Sequence, residues 1–138
     1  MIRGAAGAVI AIVVFGSSSL RAQGAPATQP PGVKRTVLQT NPLSVAGHDG
    51  VTALAELPPG GLAARHTHPG EEMGYVLEGE ATLEVEGKPA RVVKAGDVFF
   101  VPANTPHLAR NNGTVPWKIV GNYILEAGKP LATPAPKP

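Results

Sequence analysis

Between Lys34 and Gly128 turn-forming residues interrupt the chain at short, regular intervals, and this rhythm limits the fold more than any other feature. Thr36 to Leu38, Val51 to Leu57, Leu62 to His68, Glu72 to Leu77, Ala81 to Val85, Ala90 to Val93, Val98 to Val101, His107 to Arg110 and Trp117 to Leu125 each read as a strand. His48-Asp49-Gly50, Pro58-Pro59-Gly60-Gly61, Pro69-Gly70, Gly79, Glu86-Gly87-Lys88, Ala95-Gly96-Asp97 and Asn111-Asn112-Gly113 stand between them. These residue types supply the fixed or positive φ that turns need. Ala81, Leu83 and Val85 alternate with Thr82, Glu84 and Glu86, which predicts one buried and one solvated face. The run Val98 to Val101 is apolar throughout and is expected to be buried on both faces. No window carries helical periodicity. Strands recurring every roughly 8–12 residues define an all-β domain, a sandwich or a barrel.

The chain ends lack this pattern. Arg3 supplies a positive charge, Ala5 to Phe15 an apolar run, and Ser17 to Ala22 a small-polar stretch. That order predicts a cleaved signal peptide over residues 1–22, since the apolar run is short of the ~20 residues a membrane span needs. No Cys follows it, which excludes a lipid-anchored lipoprotein, and no Arg-Arg pair precedes it. The expected location is therefore outside the cytoplasm, periplasmic or secreted. Residues 23–33 read as a Pro/Gly-rich linker, residues 34–128 as the folded domain, and residues 129–138 as a flexible Pro-rich tail.

Cleavage would alter the charge balance. Twelve basic side chains oppose ten acidic ones in the full chain. Loss of Arg3 and Arg21 leaves ten against ten, so the basic character belongs to the signal and argues for neither nucleic acid nor membrane as a partner. The absence of cysteine excludes disulfides, thiolate ligands and a cysteine nucleophile. Chemistry must come from histidine, carboxylate, tyrosine or a metal.

His66 and His68 are two residues apart on a predicted strand, so both imidazoles leave the same face. Pro69-Gly70 then turns the chain, and Glu72 is expected to return on the neighbouring strand toward the same point. Two imidazoles and a carboxylate converging in this way have the makings of a metal site. The full stretch follows Gly60-x5-His66-x-His68-x3-Glu72-x6-Gly79, and a second follows Gly96-x5-Pro102-x-Asn104-x2-His107-x3-Asn111. Together they resemble the two signature motifs of the cupin superfamily, in its small single-domain form. Asn104 departs from the glycine more usual there, and Asn tolerates the positive φ that the turn requires.

The resemblance implies a double-stranded β-helix, or jelly-roll barrel, with His66, His68, Glu72 and His107 as ligands of one divalent transition metal ion (Mn, Fe, Ni, Cu or Zn). Four protein ligands would leave two positions open on an ion that prefers six. It also implies a small-molecule substrate and a metal-dependent enzyme of dioxygenase, isomerase, lyase or decarboxylase type. The alternatives are a non-catalytic module that binds a carboxylate or sugar, and a structural or storage role. A homodimer formed through the N-terminal strands is a further implication. Gly60, Gly79, Gly96 and Pro102 are assigned to turns, not chemistry. Tyr75, Phe100, Trp117 and Tyr123 are candidates to fill the barrel, with Tyr75 on the face away from Glu72. Asn104 and Asn111 are candidates to orient His107 or its loop. His48, Glu71, Arg65 and Arg110 are expected to face solvent.

Overall fold

The computed structural model describes residues 31–136. The predicted signal segment and all but the last three residues of the predicted linker lie outside that range. Ten strands follow in order: β1 (Lys34–Pro42), β2 (His48–Leu57), β3 (Leu62–Thr67), β4 (Gly70–Glu78), β5 (Glu80–Val85), β6 (Arg91–Lys94), β7 (Val98–Val101), β8 (His107–Arg110), β9 (Trp117–Glu126) and β10 (Thr133–Pro134). No helix occurs among the described residues.

The strands form two antiparallel five-stranded sheets, ordered β1-β2-β9-β4-β7 and β10-β3-β8-β5-β6. Successive strands pass repeatedly from one sheet to the other, as in a jelly roll. Alternation then decides which side chains fill the space between them. On β2, Val51, Ala53, Ala55 and Leu57 point inward, and on β9 Trp117, Ile119, Tyr123 and Leu125 do the same. Val76, Leu83, Val93, Phe99 and Val101 join Ala55, Leu57, Trp117 and Ile119 in the larger apolar cluster.

Four expectations need correction. β7 is not buried on both faces: Phe99 and Val101 are buried, whereas Val98 is 68% and Phe100 49% exposed. An apolar run cannot reveal that its strand has only one inner face, and β7 ends its sheet. For the same reason Tyr75 and Phe100 are not barrel fillers; both lie on the outer face, and Trp117 and Tyr123 take the interior. His48-Asp49-Gly50 is the start of β2, where His48 pairs with β9 and Asp49 and Gly50 pair with both β1 and β9. The turn comes earlier, where Leu43 N–H donates to the His48 carbonyl and Gly47 has φ 73°. Ladder bonds on two sides outweigh weak strand propensity at these residues.

The fourth correction concerns the C-terminus. Residues 129–138 read as a tail, yet Thr133 pairs with Thr67 and Pro134 with His66. Ala135 N–H donates to the Arg65 carbonyl, and Leu131 packs against the cluster of Val51, Ala53, Tyr123 and Leu125. Proline lacks a donor, but an edge strand needs donors on one side only. The Pro-rich segment covers the β3 edge.

Gly79 shows how the turns hold the two layers. Its φ is 71°, and an added Cβ would strike the Pro116 carbonyl oxygen. Replacement by alanine therefore adds left-handed strain to a backbone clash. Gly79→Ala is expected to destabilise the domain by more than ~2 kcal/mol. Asn104 also has positive φ, 56°, and Asn104→Gly should change stability by less than ~1 kcal/mol. Chemical denaturation of both variants beside the parent tests the contrast, and equal stability of the three would contradict it.

Candidate metal centre

Three of the residues singled out by spacing come from one sheet and the fourth from the other. His66 lies on β3 and pairs directly with His107, the first residue of β8. His68 follows the end of β3, where its carbonyl accepts the Asn104 N–H. Glu72 lies on β4, which belongs to the opposite sheet. The Pro69-Gly70 corner therefore carries the chain across the barrel, not onto a neighbouring strand as the spacing suggested. All four side chains are buried.

The imidazoles form a tight cluster. Ring centroids of His66 and His107 are 4.2 Å apart, those of His66 and His68 4.9 Å, and those of His68 and His107 5.0 Å. One nitrogen from each ring can be chosen so that all three lie within 4.8 Å of one another. Each ring is aimed by its other nitrogen: His66 Nδ1–H donates to the Ala64 carbonyl at 2.7 Å and His107 Nδ1–H to the Thr105 carbonyl at 2.9 Å. His68 Nδ1–H donates to the Leu131 carbonyl at 2.5 Å. A carbonyl can only accept, so these bonds leave every Nε2 with its lone pair directed inward.

Glu72 meets those lone pairs. Its Oε2 lies 3.1 Å from His68 Nε2 and 3.4 Å from His107 Nε2. Its Oε1 accepts the Tyr123 hydroxyl at 2.9 Å, and Tyr123 is the direct cross-strand partner of Glu72. With one proton per ring, already spent on the carbonyls, lone pairs face lone pairs across these gaps. His68 Nε2 has no hydrogen-bond partner among the described residues. Either additional protons or a cation must occupy the centre. With protons there, burial pushes the Glu72 carboxyl up, but hydrogen bonds from His107 and His68 hold it well below the usual carboxylate range. A cation satisfies the same oxygens and nitrogens without charging the rings, so the residues fit a metal ion.

The surroundings also keep the His66 ring neutral. Burial, with further contributions from His107 and Arg35, pushes the His66 pKa down to about 3, so this ring is uncharged at neutral pH. The Tyr123 hydroxyl is pushed up by burial and by the adjacent Glu72 charge, and remains a proton donor to Oε1. Fixing Oε1 in this way turns Oε2 toward the histidines.

Three contributors escaped the sequence reading. Tyr123 was expected only to fill space; its role follows from the β4–β9 register, which no local pattern encodes. The Leu131 carbonyl is a backbone atom in the presumed tail. Arg35 on β1 carries no motif, yet its Nη2 donates to His66 Nε2 at 2.9 Å. Conversely, no hydrogen bond joins the Asn111 side chain to His107. It is fully buried and donates to the Leu57 and Val115 carbonyls, clamping two loops together. Arg65 is not simply solvated, since it pairs with Glu86 and donates to the Pro136 carbonyl.

The cupin domain family matches residues 53–135. This chain belongs to that family. Among similar proteins, the cupin is 38% identical over 69 residues to an uncharacterised protein of Methanocaldococcus jannaschii, which covers 49% of this chain and 54% of that protein. It is 40% identical over 63 residues to dimethylsulfoniopropionate lyase DddQ of Ruegeria pomeroyi, covering 45% of this chain and 31% of that one. The cupin thus spans about half the length of the first relative and about a third of the second. Among solved structures, a double-stranded β-helix protein of Klebsiella pneumoniae covers 80% of this chain and 90% of its own, with TM-score 0.64 and 23% identity. A predicted oxalate decarboxylase of Thermotoga maritima has TM-score 0.50 and 36% identity, over 54% of this cupin and 65% of its own chain. The first of these shows the fold alone.

Two changes away from the four central side chains should weaken metal binding while the barrel stays folded. Truncation after Lys129 removes the Leu131 carbonyl that fixes His68, and Tyr123→Phe removes the donor that fixes Glu72. Each is expected to lower metal affinity by ~10-fold or more, measured by competition with a chromophoric chelator. Unchanged affinity in both variants would show that neither group orients a ligand.

Proposed function

We propose that this cupin is an exported, metal-dependent enzyme acting on a small organic molecule, with His66, His68, Glu72 and His107 as ligands of one divalent transition metal ion. The observation that carries the reading is the buried cluster of three histidines, each ring locked by a backbone carbonyl, with the Nε2 of His68 and of His107 facing Glu72 Oε2. When bound, the metal supplies Lewis-acid or redox chemistry. The protein contributes a largely apolar cavity beside the cluster, lined by Ala55, Ala63, Leu83, Phe99, Trp117 and Ile119, which excludes water from the reacting groups. Tyr123 holds Glu72 in place. Relatives named for enzymes, a lyase and a predicted decarboxylase, support turnover over simple capture.

The first test is metal content. After challenge with Mn, Fe, Ni, Cu or Zn and removal of excess, the parent protein should retain one ion per chain. His107→Ala should lose at least ~100-fold in affinity and keep its β-rich circular dichroism. A variant that binds as tightly as the parent would overturn the ligand set. Product formation across a panel of diketones, flavonols and 2-oxo acids then separates an enzyme from a binding module.

Export rests on the charge and apolar order of residues 1–22. Expressed with its full sequence in a bacterial host, the protein is expected outside the cytoplasm with Gln23 at its N-terminus. Full-length protein confined to the cytosolic fraction would refute this. Loading outside the cytoplasm would favour Cu and Zn, whose intrinsic affinities exceed those of Mn and Fe.

A further inference from the structure

We propose that Arg35 is the receptor for a carboxylate group on the small-molecule ligand of this protein, holding it beside the histidine cluster at the mouth of the barrel. The inference rests on the metal-binding reading above and adds a substrate class to it.

Arg35 occupies an atom that a metal would need. Because His66 Nδ1–H is given to the Ala64 carbonyl, Nε2 has one lone pair, and Arg35 Nη2 donates to it at 2.9 Å. A metal held by His66 takes that lone pair, so the two cations exclude each other there. The released guanidinium has no ion-pair partner among the described residues.

Two spaces meet at Val33, Arg35 and His66. The inner one, about 30 Å³, is the apolar cavity beside the cluster; the outer one, about 360 Å³, is a groove between residues 32–35, β3 and residues 132–134. The groove is lined by two guanidinium groups and no carboxylate. Arg65, the other cation, is already tied to Glu86 at 2.9 Å and to the Pro136 carbonyl at 2.9 Å. Once His66 releases it, Arg35 is the guanidinium of this groove that has no ion-pair partner among the described residues.

Charge and donor count agree. A divalent ion with Glu72 and Arg35 leaves two net positive charges in a mainly apolar cavity, which an anionic ligand would offset. Trp117 lines the same cavity, is buried, and its Nε1–H has no hydrogen-bond partner among the described residues. An arginine fork and an unpartnered indole N–H both call for an acceptor-rich group. A carboxylate matches the guanidinium in two parallel hydrogen bonds. The inner cavity admits only a small group, so the rest of the molecule lies in the groove.

The test uses full-length protein loaded with cobalt(II), whose visible absorption reports changes at the metal. Glycolate should perturb the spectrum and bind, and its neutral counterpart glycolamide should bind far more weakly. Arg35→Gln should keep the same cobalt content and lose at least ~10-fold in glycolate affinity, with glycolamide unaffected. Arg35→Lys should recover part of the loss, which separates a lost charge from a disturbed fold. Unchanged glycolate affinity in Arg35→Gln overturns the proposal, and so does inorganic phosphate binding more tightly than glycolate. Cobalt uptake without glycolate binding defeats this proposal alone, whereas failure to take up cobalt defeats the metal-binding reading with it.

Discussion

Three imidazoles, each with its Nδ1 proton given to a backbone carbonyl, share one buried volume with a carboxylate, and the architecture around the site follows from that conflict. Buried lone pairs facing each other are costly, and a cation held by the histidine group would relieve that cost. What keeps the conflict in place is the backbone. Each ring gives its Nδ1 proton to a carbonyl, of Ala64, Leu131 or Thr105, so no ring can turn its lone pair away without abandoning a hydrogen bond. Tyr123 does the same for Glu72 from the opposite side. The centre is therefore pre-arranged, and little ordering cost remains for a bound ion.

Pre-arrangement also explains why the jelly roll suits the site. The histidines come from β3, from the corner just after it, and from β8 in one sheet, and the carboxylate comes from β4 in the other. A convergent set drawn from two layers depends on the layers holding a fixed separation. The packed cluster that includes Leu57, Val76, Phe99 and Trp117 provides it. The C-terminal segment adds a strap: it closes the β3 edge, presents the Leu131 carbonyl to His68, and forms one wall of the outer groove. Arg35 lies across that groove, on the other chain segment that closes the mouth.

Much of this was legible in the residues. Turn formers at short spacing marked most strands to within a few residues, because Gly, Pro and Asn act locally through φ. The interval between His66 and His68 placed both rings on one face, because strand side chains repeat every two residues. Asn104 takes positive φ as expected. Errors arose where a neighbour decides the outcome. The Val98–Val101 run looks the same whether its strand has one buried face or two. His48-Asp49-Gly50 has turn composition, yet ladders on both sides draw it into β2. A proline-rich terminus reads as a tail unless the edge it covers is known.

The sequence by itself determined an all-β domain and four side chains of metal-binding character at a spacing that lets two share a face. Those properties are carried by backbone dihedral preferences and strand periodicity, which act over a few residues. Only the tertiary structure decided that Glu72 arrives from the opposite sheet, that Tyr123 holds Glu72 and the Leu131 carbonyl holds His68, and that Arg35 reaches His66 Nε2. Each of these is a contact between residues distant in the chain, set by strand order and register. Register depends on how two apolar faces fit together, and no single strand contains that information.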